Sequence, residues 1–132
     1  MHNLKELKIW NKAINLATRV YKATENFPSE EKYALISQIR RSVVSIASNI
    51  SEGAGRNSDK EFTYFLGVAN GSAYELQTQL VISAQLNLIS EDTVDQILSE
   101  LTEIQKMNFT FQKTLKNRRS EAVNIQSQRS HI

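Results

Sequence analysis

The chain has 132 residues, with one proline, four glycines, no cysteine and a net charge of +2. That length suits one domain, the missing thiols exclude disulfides and cysteine-ligated metal, and no stretch approaches the roughly 18 uncharged apolar residues of a membrane span. The opening "MHNLKELKIWNKAINLA" has neither the apolar run nor the cleavage site of a signal peptide, so a soluble cytoplasmic protein is expected.

The first helical segment runs from about Leu7 to Glu25. Trp10, Ile14, Ala17 and Tyr21 form one stripe at 4-3-4 spacing, and Ile9, Ala13, Leu16 and Val20 form another beside it. "FPSEEKY" breaks the pattern. Ser29 is placed to cap the next helix, with Glu30 and Glu31 favourable against its N-terminal dipole.

The second segment carries Ile36, Ile39, Val43, Ile46 and Ile50 in strict 3-4 alternation and ends at "EGAGRN", where glycines suit a left-handed helix terminus. Ser58-Asp59-Lys60-Glu61 then reads as a capping box. The third segment puts Phe62, Leu66, Ala69, Ala73, Leu76 and Leu80 on one face. In the turn "QLNLISEDT", Asn87 is the expected C-cap and Ser90 the next N-cap.

The fourth segment carries Val94, Ile97, Leu98, Leu101 and Ile104. Its stripe weakens where Gln105, Asn108 and Gln112 replace apolar residues, and Leu115 is the last clear core candidate. Residues 1–119 are expected to form the bundle domain and 120–132 a disordered basic tail. Four amphipathic segments with short connections predict an all-α, up-down-up-down four-helix bundle.

Two helix backs are unusual. On a wheel of about 100° per residue, Tyr64, Gly67, Gly71, Tyr74, Thr78 and Ile82 lie opposite the core face of the third segment. Exposed interior glycines cost about 1 kcal/mol each relative to alanine, and a closely packed neighbour would offset that. Tyr64, Gly67, Gly71 and Tyr74 are therefore the expected subunit contact of a homo-oligomer. The second segment sets Arg41, Ser45, Ser48 and Glu52 behind its isoleucines, with Asn49 beside them and Arg40 at the stripe edge. Ser and Asn compete for backbone hydrogen bonds inside helices, so their density points to close helix approach, a polar network or a binding surface.

Charge is uneven along the chain. Residues 1–60 carry ten Lys/Arg and six Asp/Glu, a surplus of +4. Residues 61–112 carry one Lys and seven acids, and residues 113–132 five Lys/Arg and one Glu. The materials of catalysis are sparse: His2 and His131 are the only histidines, no Glu-x-x-His pair occurs, and "GAGR" is no phosphate-binding loop. No catalytic residue, metal site or cofactor is expected.

"IWNKA", "FPSEEKYALISQIRRSVVSIASNISEGAGR" and "KEFTYFLGVANGSAYEL" resemble the bacterial 23S ribosomal RNA intervening-sequence proteins, or four helix bundle proteins, over roughly residues 4–89. Two departures are Ala47, where the family often has proline, and Asn70 before Gly71-Ser72. The resemblance implies a protein without established enzymatic activity, often encoded inside insertions in ribosomal RNA genes. It extends in fold to the accessory variability determinant of diversity-generating retroelements, which assembles as a pentameric barrel and binds nucleic acid and a reverse transcriptase. The motif positions Arg40, Arg41, Ser45, Asn49, Glu52, Gly53 and Arg56 are present, and the motif itself assigns them no role.

The expectation is thus a non-enzymatic homo-oligomer, a pentamer by resemblance, that meets RNA or DNA through Arg40, Arg41, Arg56, Lys60, Arg118 and Arg119. The alternative is a protein-interaction scaffold whose basic and acidic halves meet across subunits. No membrane contact is expected.

Overall fold

The computed structural model describes residues 2–31 and 34–130, with the side chains of 31, 119, 121–123 and 126–130 outside the description. Four helices carry the fold: α1 (Lys8–Ala23), α2 (Leu35–Ala54), α3 (Asp59–Gln85) and α4 (Glu91–Ser130). Short 3-10 turns at Leu4–Glu6 and Ser29–Glu31 precede α1 and α2. Each helix packs on the next and α4 returns to α1, so the four close as an up-down-up-down bundle.

The caps explain where the chain turns. Ser58 Oγ accepts the Glu61 amide at 3.2 Å to start α3, and Ser90 Oγ accepts the Thr93 amide at 3.1 Å to start α4. Asn87 takes the left-handed conformation at φ 60°. The Leu88 amide then reaches Ser83 O and the Asn87 amide reaches Ala84 O, each at 3.0 Å, closing α3 with the paired bonds of a Schellman motif.

Two starts and stops differ from the sequence pattern. Ser29 heads only a 3-10 turn, and α2 begins at Leu35 behind Ala34, with no side-chain cap and no acid in its first turn. Burial of Phe27 anchors the loop ahead of Ser29, while burial of Ile36 sets where α2 meets the core. At the other end of α2 no glycine has positive φ, and Gly55 caps at φ −83°. Gly53 is needed for a different reason. A Cβ there would lie 2.8 Å from Phe62 Cδ1 and 2.9 Å from Phe65 Cβ, so the missing side chain is what lets α3 pack against the end of α2.

The core is aliphatic and continuous. On α1, Ile9, Ala13, Leu16 and Val20 are buried, as are the expected stripes of α2 and α3. On α4 the stripe does not end at its polar residues. Asn108 is 2% exposed, donates from Nδ2 to Leu66 O at 2.9 Å and accepts from Gln112 Nε2 at 2.6 Å. Satisfied in this way, it sits inside the core, and burial resumes at Leu115. Helical backbone then continues to Ser130, past the expected boundary at 119, through a stretch that contains neither proline nor glycine to stop it.

Candidate functional site

Three surfaces hold the chemistry that the bundle does not consume. The first is the back of α3. Tyr64 and Tyr74 are 66% and 60% exposed. Gly67 and Gly71 lie exposed between them, and a Cβ built on either glycine meets no atom within 4 Å. Val68, Val81 and Ile82 are exposed on the same helix. Among the described residues nothing packs over these glycines.

The second surface follows from α1 having two stripes and only one seam to fill. The Ile9–Val20 stripe is buried, whereas Trp10 and Ala17 are half-buried and Ile14 and Tyr21 are exposed. With Val44, Ala47, Ser48 and Ser51 of α2, Trp10, Ile14 and Ala17 line a shallow groove of about 300 Å³. The sequence showed this stripe but no signal in it separated a core face from a free one.

The third surface is charge. The Arg40 guanidinium stacks 4.5 Å over the Tyr21 ring and donates to Thr24 Oγ1 at 3.1 Å and Tyr21 O at 3.2 Å, tying α2 to α1. Arg56 pairs with Glu52 at 2.6 Å and lies over Phe65, and Arg118 pairs with Asp59 at 3.3 Å. Arg41 and Lys60 are exposed with no ion pair among the described residues, and the Arg119 side chain lies outside them. The six candidate cations do not form one patch. Arg41 stands about 20 Å along α2 from Ala54, where the helix ends two residues before Arg56.

The polar back of α2 divides likewise. Ser45 Oγ lies 2.8 Å from Ser72 Oγ of α3, and Asn49 Nδ2 donates to Ser45 O and Oγ at 2.8 and 3.0 Å. This network joins two helices of one chain. Ser48 and Arg41 remain at the surface. The basic and acidic stretches also meet within the protomer, across the α1–α4 seam: Lys12 pairs with Glu103 at 2.8 Å and Arg19 with Glu100. The Lys12 ammonium, by hydrogen bond and charge, holds the Glu103 carboxyl below its ordinary range.

Among the described residues no three His, Asp or Glu side chains group as metal ligands, and no helix is long and apolar enough to cross a membrane. The His2 ring packs edge-on against Phe62 at 4.9 Å.

Comparison with known proteins bears on this arrangement. No curated protein matches the chain. A crystal structure from Bacteroides thetaiotaomicron VPI-5482, of a protein with unknown function from the S23 ribosomal protein family, superposes with a TM-score of 0.72 at 27% identity, covering 80% of this chain and 98% of that one. The family model for 23S rRNA-intervening sequence proteins matches residues 5–110, from the turn before α1 into the polar stretch of α4. With the motifs, the four helices and a solved relative in agreement, the chain belongs to the 23S rRNA-intervening sequence protein family.

Proposed function

We propose that the protein is a non-enzymatic, cytoplasmic homo-oligomer of helical bundles that binds RNA or DNA through basic side chains. The glycine face of α3 carries the oligomeric part of this reading. Gly67 and Gly71 sit inside a 27-residue helix with open space above them, where each costs about 1 kcal/mol relative to alanine. A second copy packed on that face offsets the cost, because glycine admits a close backbone and the flanking tyrosines cover the gap. α1 and α3 stand at diagonal corners of the bundle, so the free stripe of α1 and the glycine face of α3 point apart. Two unlike patches facing apart join head to tail, and such contacts form a ring where the rotation between copies closes. A ring of five is the assembly that the family resemblance favours.

Gly71→Leu is expected to dissociate the assembly while leaving helicity unchanged. Leucine is the better helix former, and the protomer has room for it. Sedimentation at micromolar concentration checks both chains, and a monomeric wild-type mass would refute the oligomer.

Exposed lysines and arginines support the nucleic-acid part, which predicts weak, sequence-tolerant binding that falls steeply with salt. Titration of a labelled RNA at two salt concentrations tests it. An intact oligomer with no measurable binding at low salt would leave the protein-interaction scaffold as the function.

A further inference from the structure

We propose that the nucleic-acid site is one end of the bundle, the end from which α4 projects, and that it takes the phosphate backbone of a strand; this rests on the nucleic-acid reading above. Three contacts assemble that end. The Arg118–Asp59 pair sets α4 beside the first residue of α3. The His2 amide, 3.4 Å from Ala54 O, holds the N-terminal segment at the last residue of α2. Asn11 Nδ2 donates to Lys5 O at 2.9 Å and folds Lys5 back onto the first turn of α1.

Lys5, Lys8, Lys60, Lys113 and Lys116 are thereby gathered at one end, all exposed and without an ion pair among the described residues. Glu52 and Asp59 are already neutralised by Arg56 and Arg118, which leaves Glu6 and Glu61 against the five lysines among the described side chains. The other end, where α1 finishes and α3 turns into α4, carries Glu25, Glu30, Glu91, Asp92 and Asp95 against Lys22 and Arg40 among the described side chains.

The length of the bundle decides what this polarity does. α3 has 27 residues, so the two ends are about 40 Å apart. The Debye length at physiological salt is about 8 Å. Acid at one end is therefore screened from phosphate at the other, and a net charge of only +2 does not weigh against a local polyanion site. α4 adds shape. Its backbone runs from Arg118, beside Asp59, to Ser130, about 18 Å beyond the bundle end, and flanks any strand laid across it. Arg40, by contrast, is held on Tyr21 and Thr24, and Arg41 stands about 20 Å up α2 from Ala54.

The test is fluorescence anisotropy on the full chain, with labelled single-stranded RNA, single-stranded DNA and duplex RNA of about 20 nucleotides, between about 50 and 200 mM salt. The combined Lys60→Gln, Lys113→Gln, Lys116→Gln variant breaks no described ion pair, and Arg41→Gln is the control. Circular dichroism confirms that both fold. The triple variant should lose at least about tenfold in affinity at 100 mM salt, and its salt slope should fall by about two, from about 0.7 per phosphate contact. Arg41→Gln should stay within about twofold of wild type. Loss on every probe assigns the shared phosphate backbone, and loss on the RNA probes alone assigns RNA. A triple variant that binds as wild type does, while wild type itself binds, overturns the site. A wild-type chain that binds none of the probes overturns the nucleic-acid reading as well.

Discussion

Val43→Asp leaves no cooperative unfolding transition to measure. Val43 is fully buried in the middle of the α2 stripe, within an aliphatic cluster drawn from all four helices. Removing its side chain forfeits about 1.5–3 kcal/mol of apolar burial. The aspartate then has two unfavourable routes. Kept charged, it adds several kcal/mol of desolvation with no counter-ion. Kept neutral at pH 7, it must bind a proton about three units above its ordinary pKa, which costs about 4 kcal/mol, and its hydroxyl still lacks a partner. The sum is on the order of 5–8 kcal/mol, comparable with the whole stability of a small domain. Val43→Ala should keep a single urea transition at a lower midpoint. A soluble Val43→Asp chain that unfolds cooperatively would mean that this face of α2 is not core.

The helices were legible in the sequence because their signals are local. The 3.6-residue period placed the stripes of α2 and α3, the Ser58 and Ser90 signals named N-caps, and Asn87 marked the end of α3, one residue past the C-cap Leu86, through neighbours one to five residues away. What the sequence missed depends on lateral placement. Ser29 has the chemistry of an N-cap, yet burial of Phe27 and Ile36 moved the start of α2 beyond its reach. Asn108 looks like the end of a stripe until the Leu66 carbonyl is brought to it from α3. The candidate cations divide for the same reason. Arg40, Arg56 and Arg118 find partners on Tyr21, Glu52 and Asp59, and only the antiparallel register of α3 and α4 brings Lys113 and Lys116 to the end that holds Lys60. Of these pairs, Arg56–Glu52 alone is an i,i+4 contact readable from spacing.

The same substitution should act oppositely at two glycines. Gly53→Leu is expected to unfold the protomer, whereas Gly71→Leu should only separate protomers. At Gly53 even the first carbon of a side chain would sit 2.9 Å from Phe65 Cβ and 3.3 Å from the Phe62 carbonyl, neither of which is the far end of a flexible chain. Relief requires α2 and α3 to part along a seam that also carries the Ser45–Ser72 bond, and the buried Phe62 ring would lose its packing. Overpacking a well-filled core costs about 1–3 kcal/mol for small additions, so Gly53→Ala should lower the urea midpoint although alanine gains about 1 kcal/mol of helix propensity. Leucine adds three more carbons and should leave little folded protein. Phe62→Leu in the Gly53→Ala background should recover part of the loss, since Phe62 Cδ1 is the nearest atom at 2.8 Å, and the recovery stays partial because Phe65 Cβ and the carbonyl remain. A Gly53→Leu chain with a wild-type midpoint would show that α2 and α3 do not meet there as closely as described.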